Sequence, residues 1–385
     1  MFEIDEVKGQ TAKIKVVGIG GAGGNAINNM IASNLNGVEF IAVNTDTQVL
    51  ETSLAPVKVQ IGACITKGLG AGSNPEVGKQ SALEDRASIA ERLEGADMVF
   101  ITAGMGGGTG TGASPVVASI AREMGALTVA IVTKPFFYEA KIRALNAEEG
   151  IRELKNSVDT LIVIPNDRIA LVVDKKTPIL KGFSVANDVL RQAVQGISDI
   201  ILKPGLINVD FADVRTIMQN TGKAVMGTGV GNGEGAAVEA AKKAISNPLI
   251  EESNIEGARG ILFNITGGIT LSLSDVQDAA TIIYDSAHEN ATIIIGNVID
   301  PDIDDEVRIT VIATGFEEKK EKVELPQIKK WTPMNESLVY KASGRVLAKN
   351  LSSGHVMNIP SSDLMPYEDP LDMPTFMRQM PQRGL

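Results

Sequence analysis

"GMGGGTGTGASP", residues 104–115, closes the apolar run "MVFITAG" and opens the helix-like "ASPVVASIAREMG". Ordering glycine backbone costs conformational entropy, so such a density marks a place where main chain must approach something that a Cβ would obstruct. The apolar segments clamping both sides argue against a free linker. Upstream, "VVGIGGAGGNAI" (16–27) repeats the device, with Gly18, Gly20 and Gly23 in G-x-G-x-x-G register between a strand and a helix. A third glycine run, "GLGAG", occupies 68–72.

Outward from these loops, short Val- and Ile-rich runs alternate with helix-length segments, the pattern of βαβ units around a parallel sheet. Strands are predicted at 14–20, 38–46, 97–104, 127–135 and 160–167, with helices beginning near Asn25, Asn74, Gly112 and Lys141. The fold class is therefore α/β: a Rossmann-like, doubly wound nucleotide-binding domain over 13–182, after a flexible segment 1–12. From Phe183 to Lys203, Val185, Val189, Val194, Ile197, Ile200 and Ile201 recur at helical spacing and "KPG" ends the run, predicting a connecting helix over 183–205. A smaller α/β domain follows over 206–316, with helices at 211–220, 234–245 and 274–287 and strands in "ARGILFNITGG", "ATIIIGNV" and "EVRITVIATG". Mixed charge, Pro, Ser and Asn without periodicity make 317–367 a flexible linker, with a small element around "SLVYKASGRVLA" left open, within a disordered C-terminal tail. In 368–385, Met373, Phe376, Met377 and Met380 fall at i, i+3, i+4 and i+7, with Asp372 as a cap and Pro374 in the first turn, which suits a partner's groove.

The totals exclude several classes. A chain of 385 residues exceeds what one core normally holds, and 44% apolar with only 4% aromatic residues suits layers of Val, Ile, Leu and Ala. The net charge of -11 and the lack of any Lys/Arg run longer than two argue against nucleic acid as a partner. Lone Cys64 excludes an internal disulfide framework, and with only His288 and His355 a His-rich metal site or a Ser/His/Asp triad is disfavoured. No apolar run reaches the length of a membrane span, so the chain is expected to be cytoplasmic without direct membrane insertion.

Two readings of the first loop stay open: a dinucleotide site using Gly18, Gly20 and Gly23 with Asp46 as the ribose acid, or a tight turn without a ligand. Neither accounts for the second loop. Two helix N-termini at one sheet edge suit a triphosphate, with hydroxyls from Thr109 and Thr111 and residues 68–72 over the far phosphate. A Walker loop is excluded, because Gly78-Lys79-Gln80 and Gly222-Lys223-Ala224 lack the hydroxyl residue that must follow. Backbone amides, helix dipoles and a divalent cation must then carry the phosphate charge.

"GGGTGTG" is the signature of the tubulin superfamily, and "GVEFIAVNTD", "TKGLGAGSNPEVG", "GADMVFITAGMGGGTGTGASPVVA", "NVDFADVR" and "DEVRITVIATG" resemble the FtsZ family of bacterial cell-division GTPases. The resemblance runs almost continuously over 13–316 and returns at "LDMPTFMR". It implies a GTP hydrolase, with GTP/GDP and Mg2+ as cofactors, that forms head-to-tail protofilaments and a ring at the mid-cell division site. The Mg2+ is expected on GTP phosphates and water, without a dedicated protein ligand. Nucleotide contacts are implied at Gly20, Gly21, Ala22, Gly23, Gly24 and Asn25, at Asn44 and Asp46, at Gly70, Ala71 and Gly72, and at Gly104, Gly107, Gly108, Thr109, Gly110 and Thr111. Glu139 and Arg143 fall in the ribose region, and Phe183 and Asn187 at guanine. Membrane tethers and regulators are implied partners of Asp372, Met373, Pro374, Phe376, Met377 and Arg378; the other partner is a second copy of the chain. Ala22 and Ala140 depart from the family, which favours glycine at both. On chemistry alone, Asn25 and Asn187 suit caps or turns equally well, and Glu139 with Arg143 suits an ordinary surface i,i+4 pair.

A hydrolase needs something to orient water, and the glycine loops hold no suitable acid. Asp210 and Asp213, spaced i,i+3 at a helix start, are the candidates, with helix capping as the alternative. If the long helix starts at the nucleotide, about twenty residues carry these acids ~30 Å away. Together with Asn208 they are expected to act on the next subunit's nucleotide, across a heterologous interface that generates filaments.

Overall fold

The computed structural model describes residues 12–316 apart from 175, 204, 206–208, 248–254, 256 and 301–302, together with 341–342 and 345–346. Asn208, nearly all of the N-terminal segment, most of the linker, and the peptide from Asp372 to Arg378 lie outside the described residues.

The alternation read from the sequence is realised, with α2, β3, α3 and α8 added to it, as β1 (Ile14–Ile19), α1 (Gly20–Ala32), β2 (Val38–Asn44), α2 (Thr47–Glu51), β3 (Val57–Gln60), α3 (Ala63–Thr66), α4 (Pro75–Glu84), α5 (Arg86–Leu93), β4 (Met98–Gly104), α6 (Thr109–Glu123), β5 (Leu127–Lys134), α7 (Lys141–Ser157), β6 (Thr160–Pro165), α8 (Asn166–Val172) and α9 (Ile179–Leu202). It continues through α10 (Phe211–Met218), β7 (Gly222–Asn232), α11 (Ala236–Ile245), β8 (Gly260–Gly267), α12 (Leu273–Asp285), β9 (Thr292–Ile299) and β10 (Glu306–Thr314). The two-residue strands β11 (Lys341–Ala342) and β12 (Arg345–Val346) pair with each other, antiparallel, within the open element.

These ten longer strands form one sheet in the order β3-β2-β1-β4-β5-β6-β7-β10-β8-β9. Strands β1 to β6 are parallel, and the inner ones are mostly apolar along their length because both faces are covered, whereas the edge strand β3 alternates, with Lys58 and Gln60 exposed. Along β1, Ile14 and Val16 join one cluster with α1 and α9, while Val17 and Ile19 join another with α5 and α6. Val189, Leu190, Val194, Ile197 and Ile200 of α9 are at most 5% exposed. Burial on that scale contributes about 1.5–3 kcal/mol per large side chain before entropy is counted, which fixes the long helix along the sheet.

Strand β7 was not expected from the sequence, because its glycines read as breakers. It joins the two halves through three parallel pairs with β6, Thr160–Gly222 to Ile162–Ala224, and turns to antiparallel pairing with β10. Its glycines admit a helix: a Cβ on Gly229 or Gly231 would collide with the α11 carbonyls of Ala240 or Ala236. The alanine face of α11 therefore lies directly on the strand.

Candidate functional site

Parallel pairing sets Ile19 opposite Ala103, so α1 and α6 start side by side at the carboxyl edge of β1 and β4. The two loops touch main chain to main chain. A Cβ on Gly20, whose φ is +73°, would lie 2.9 Å from the Gly110 nitrogen, and one on Gly110 would lie 2.7 Å from the Gly104 carbonyl oxygen. Gly21, Gly24 and Gly107 are different: a Cβ built on any of them meets nothing within 4 Å. Some glycines thus bring the loops together while others keep a mouth open between them. Neither α1 nor α6 has a side-chain cap at its start. Their first amides and positive dipole ends suit a bound anion.

The third loop closes the mouth from the β2 side. Asp46 bridges Leu69, Thr47 N–H donates to Gly68 O at 3.1 Å, and Gly70 N–H donates to Thr45 O at 3.3 Å. A Cβ on Gly108 would lie 2.7 Å from that of Ala71, so the second and third loops also pack closely, while Gly72 faces open space. Asn44 Oδ1 accepts from Thr45 N at 2.8 Å, and Asp46 Oδ1 accepts from Gln48 N at 2.9 Å to cap α2. The dinucleotide reading needs the Asp46 carboxylate on a ribose; here one of its oxygens is held by α2.

Thr109 is half-buried and its hydroxyl lies 2.7 Å from that of Thr45. Thr111 is only 2% exposed, and its oxygen accepts from Gly106 N–H at 2.7 Å, so it braces the loop rather than lining the mouth. Ala22 packs against Gly104, where a Cβ would lie 2.6 Å from its own, so the alanine is accommodated by the glycine opposite. Asn25 is exposed in the second turn of α1.

Glu139 and Arg143 pair at 3.1 Å, and Glu139 Oε1 also accepts from Phe136 N–H at 2.9 Å. A Cβ on Gly106 would lie 2.6 Å from Arg143 O, which seats the start of α7 against the second loop. Phe183 is 40% exposed on α9, edge-on to Phe136 with ring centroids 5.5 Å apart, and Asn187 follows one turn later. Phe136 in turn stacks on Tyr138 at 5.0 Å. Desolvation, then the Glu139 and Asp167 carboxylates, push the Tyr138 phenol up. Sequence reasoning missed Phe136, Tyr138 and Asn166. Asn166 is 6% exposed with its Oδ1 lacking a hydrogen-bond partner, at the first position after β6. The available signal was position: Asn166 directly follows the carboxyl end of β6, and Phe136 and Tyr138 lie within four residues of that of β5, where α/β sites collect.

Ala140 sits at φ +82°, ψ 147°, a region that costs a side chain about 1–3 kcal/mol and costs glycine little. Replacing Ala140 with Gly is therefore expected to stabilise the fold by about 1 kcal/mol, after the extra entropy of glycine is deducted. Chemical denaturation of the two proteins, giving a higher midpoint for the glycine variant, checks this.

Asp210 and Asp213 stand at the other edge of the sheet. Both are exposed, and Asp210 Oδ1 caps α10 by accepting from Asp213 N at 2.8 Å. The capping alternative is thus real for Asp210, and it leaves the Asp213 carboxylate unused. Arg215 of α10 donates to Gly125 O at 3.1 Å, just before β5, and Thr160, the first residue of β6, donates to Met218 O. These contacts tie α10 to the amino ends of strands whose carboxyl ends face the loops. One eight-residue strand spans ~26 Å at about 3.3 Å per residue, so neither acid reaches the mouth of its own chain.

A cavity of about 330 Å³ lies elsewhere, between α9 and strands β7, β8 and β10. Burial pushes the Asp199 carboxyl there upward against the opposing pull of Lys203. It has no helix N-terminus or glycine loop of the kind that receives phosphate. Among the described residues no group of three or more His, Cys, Asp or Glu is placed to hold a metal ion, and no helix is long and apolar enough to cross a membrane.

Comparison with known proteins converges on one family. Residues 13–174 match the GTPase domain of the Tubulin/FtsZ family, and residues 222–317 match the FtsZ family C-terminal domain. The structure superposes on an FtsZ dimer from M. jannaschii with a TM-score of 0.76 and 44% identity, covering 80% of this chain and 89% of that one. It also resembles CetZ2 from Haloferax volcanii, solved as a GTPgS-bound protofilament, with a TM-score of 0.70 and 20% identity over 80% of this chain and 94% of that one. The latter likeness is one of fold alone.

Proposed function

This chain belongs to the Tubulin/FtsZ family of GTPases, and on that premise we propose that it polymerises head to tail and hydrolyses GTP only at the joint between two copies. The observation that carries the proposal is the separation of parts: an anion-binding mouth at one edge of the sheet and the exposed pair Asp210 and Asp213 at the other.

In this reading the α1 and α6 amides and the third loop hold the phosphates, Glu139 and Arg143 the ribose, and Phe183 with Asn187 and Asn166 the guanine. A Mg2+ ion held by the nucleotide's phosphate oxygens and water would supply charge neutralisation for the leaving diphosphate. Asp213, Asp210 and Asn208 of the neighbouring copy orient the attacking water and take up its proton as the bond from the terminal phosphorus to GDP breaks. The products are GDP and phosphate, and with the bridging phosphate gone the joint loosens. Large apolar side chains support a protein partner at this pole: Leu69, Phe137, Ile142 and Leu180 are 82%, 83%, 74% and 82% exposed on or beside the loops. The related M. jannaschii FtsZ was solved as a dimer.

At the level of the cell we propose a cytoplasmic cytokinetic ring at mid-cell, with the peptide from Asp372 to Arg378 reaching membrane tethers or regulators across the linker. The boundaries read from the sequence, with 13–182 and 206–316 as domains about a connecting helix, are retained in this proposal.

Turnover per molecule measured against protein concentration tests it. The rate is expected to rise steeply above a threshold concentration and to fall towards zero below it. A flat profile would contradict assembly-dependent hydrolysis.

A further inference from the structure

Thr45 is fully buried, at 0% exposure, and its hydroxyl oxygen lies 2.7 Å from that of Thr109. A threonine hydroxyl has a single proton to give. If Thr109 donated to Thr45, the Thr45 proton would be left in the interior without an acceptor, which costs the desolvation of an unpaired donor. Donation from Thr45 to Thr109 avoids that cost and turns the Thr109 proton away from the interior, towards the mouth.

Thr45 holds the third loop as well: its carbonyl accepts from Gly70 N–H at 3.3 Å. Thr109 opens α6 directly after Gly108, on which Ala71 of that third loop rests. The seam between the second and third loops is where the far end of a phosphate chain would lie. We infer that Thr45 is a positioning residue that sets the direction of the Thr109 hydroxyl and so lets the site distinguish a triphosphate from a diphosphate. This rests on the reading of the loops as a GTP site.

The test uses the full-length chain below its assembly threshold, with affinities measured for GTPγS and for GDP. Thr45→Val keeps the shape and removes the donor. It is expected to weaken GTPγS by about three- to tenfold, the value of one hydrogen bond of ordinary strength, and to leave GDP within about twofold. Thr45→Ser is expected to restore the parental ratio of the two affinities, which a purely structural role would not do. In a Thr109→Val background, Thr45→Val is expected to add no further selective loss. Should Thr45→Val fail to fold, Thr45→Ala is measured in its place, with melting of the GDP-loaded protein as the folding control. Equal losses for GTPγS and GDP, or an unchanged ratio, overturn the role of Thr45 while leaving the GTP site standing. An unchanged GTPγS affinity in Thr109→Val would instead remove the reading of the loops, and this inference with it.

Discussion

Replacing Asp213 with Ala is expected to leave GTP affinity within about twofold of the parent and to cut turnover by about 10²–10⁴-fold, the range that a positioned acid or base contributes. The two effects separate because Asp213 stands at the amino end of the strands whose carboxyl ends carry the mouth. Asp210 needs a subtler change, since its Oδ1 caps α10 through Asp213 N–H. Asp210→Ala would mix loss of a cap, about 1 kcal/mol, with loss of the charge. Asp210→Asn keeps a good cap and removes the charge, so melting is expected to stay near that of the parent while turnover falls. Equilibrium nucleotide binding and phosphate release, measured on the same samples, decide the matter. Loss of GTP binding in Asp213→Ala would mean that the acid serves its own chain's nucleotide.

The second large effect is expected in the glycines. Gly20→Ala meets two obstacles at once: a φ of +73° and a Cβ 2.9 Å from the Gly110 nitrogen. Relief requires α1 and α6 to move apart, which widens the mouth, so both stability and nucleotide affinity are expected to fall, the latter by about 10²-fold for some 3 kcal/mol of misfit. Gly21→Ala is the counterpart. Its Cβ meets nothing within 4 Å and it lies inside α1, where Ala is favoured over Gly by about 1 kcal/mol, so melting is expected to hold or rise. Affinity is nonetheless expected to drop, because the new methyl group projects into the mouth. A Gly21→Ala protein that binds GTP normally would show that the mouth lies elsewhere.

Strands β1, β2, β4, β5 and β6 were legible because apolar runs and strand–helix alternation are local patterns; β3, the four-residue edge strand VKVQ with Lys58 and Gln60 exposed, has no such run and was not read. The helix starts were less legible. Helices expected near Asn25 and Gly112 begin at Gly20 and Thr109, since glycine reads as a breaker even where it opens a helix that has no side-chain cap. Strand β7 was hidden for a related reason: Gly229 and Gly231 are there to admit α11, a contact no local window reveals. In the site, the loops and the Glu139–Arg143 pair were readable from spacing and resemblance. The turn from Thr111 to Gly106 and the hydroxyl pair of Thr45 and Thr109, 64 residues apart, were not, because nothing local marks a partner brought in by folding.

The claim that each copy carries half of a reaction centre at either pole is tested most directly by mixing two inactive proteins. Asp213→Ala supplies an intact mouth without the acid, and Gly21→Ala supplies the acid without a working mouth. Each alone is expected to release almost no phosphate from GTP. Combined, they are expected to recover turnover, because the acid pole of one can meet the nucleotide of the other. A mixture as inactive as its components, with both chains shown to co-assemble, would contradict the shared site.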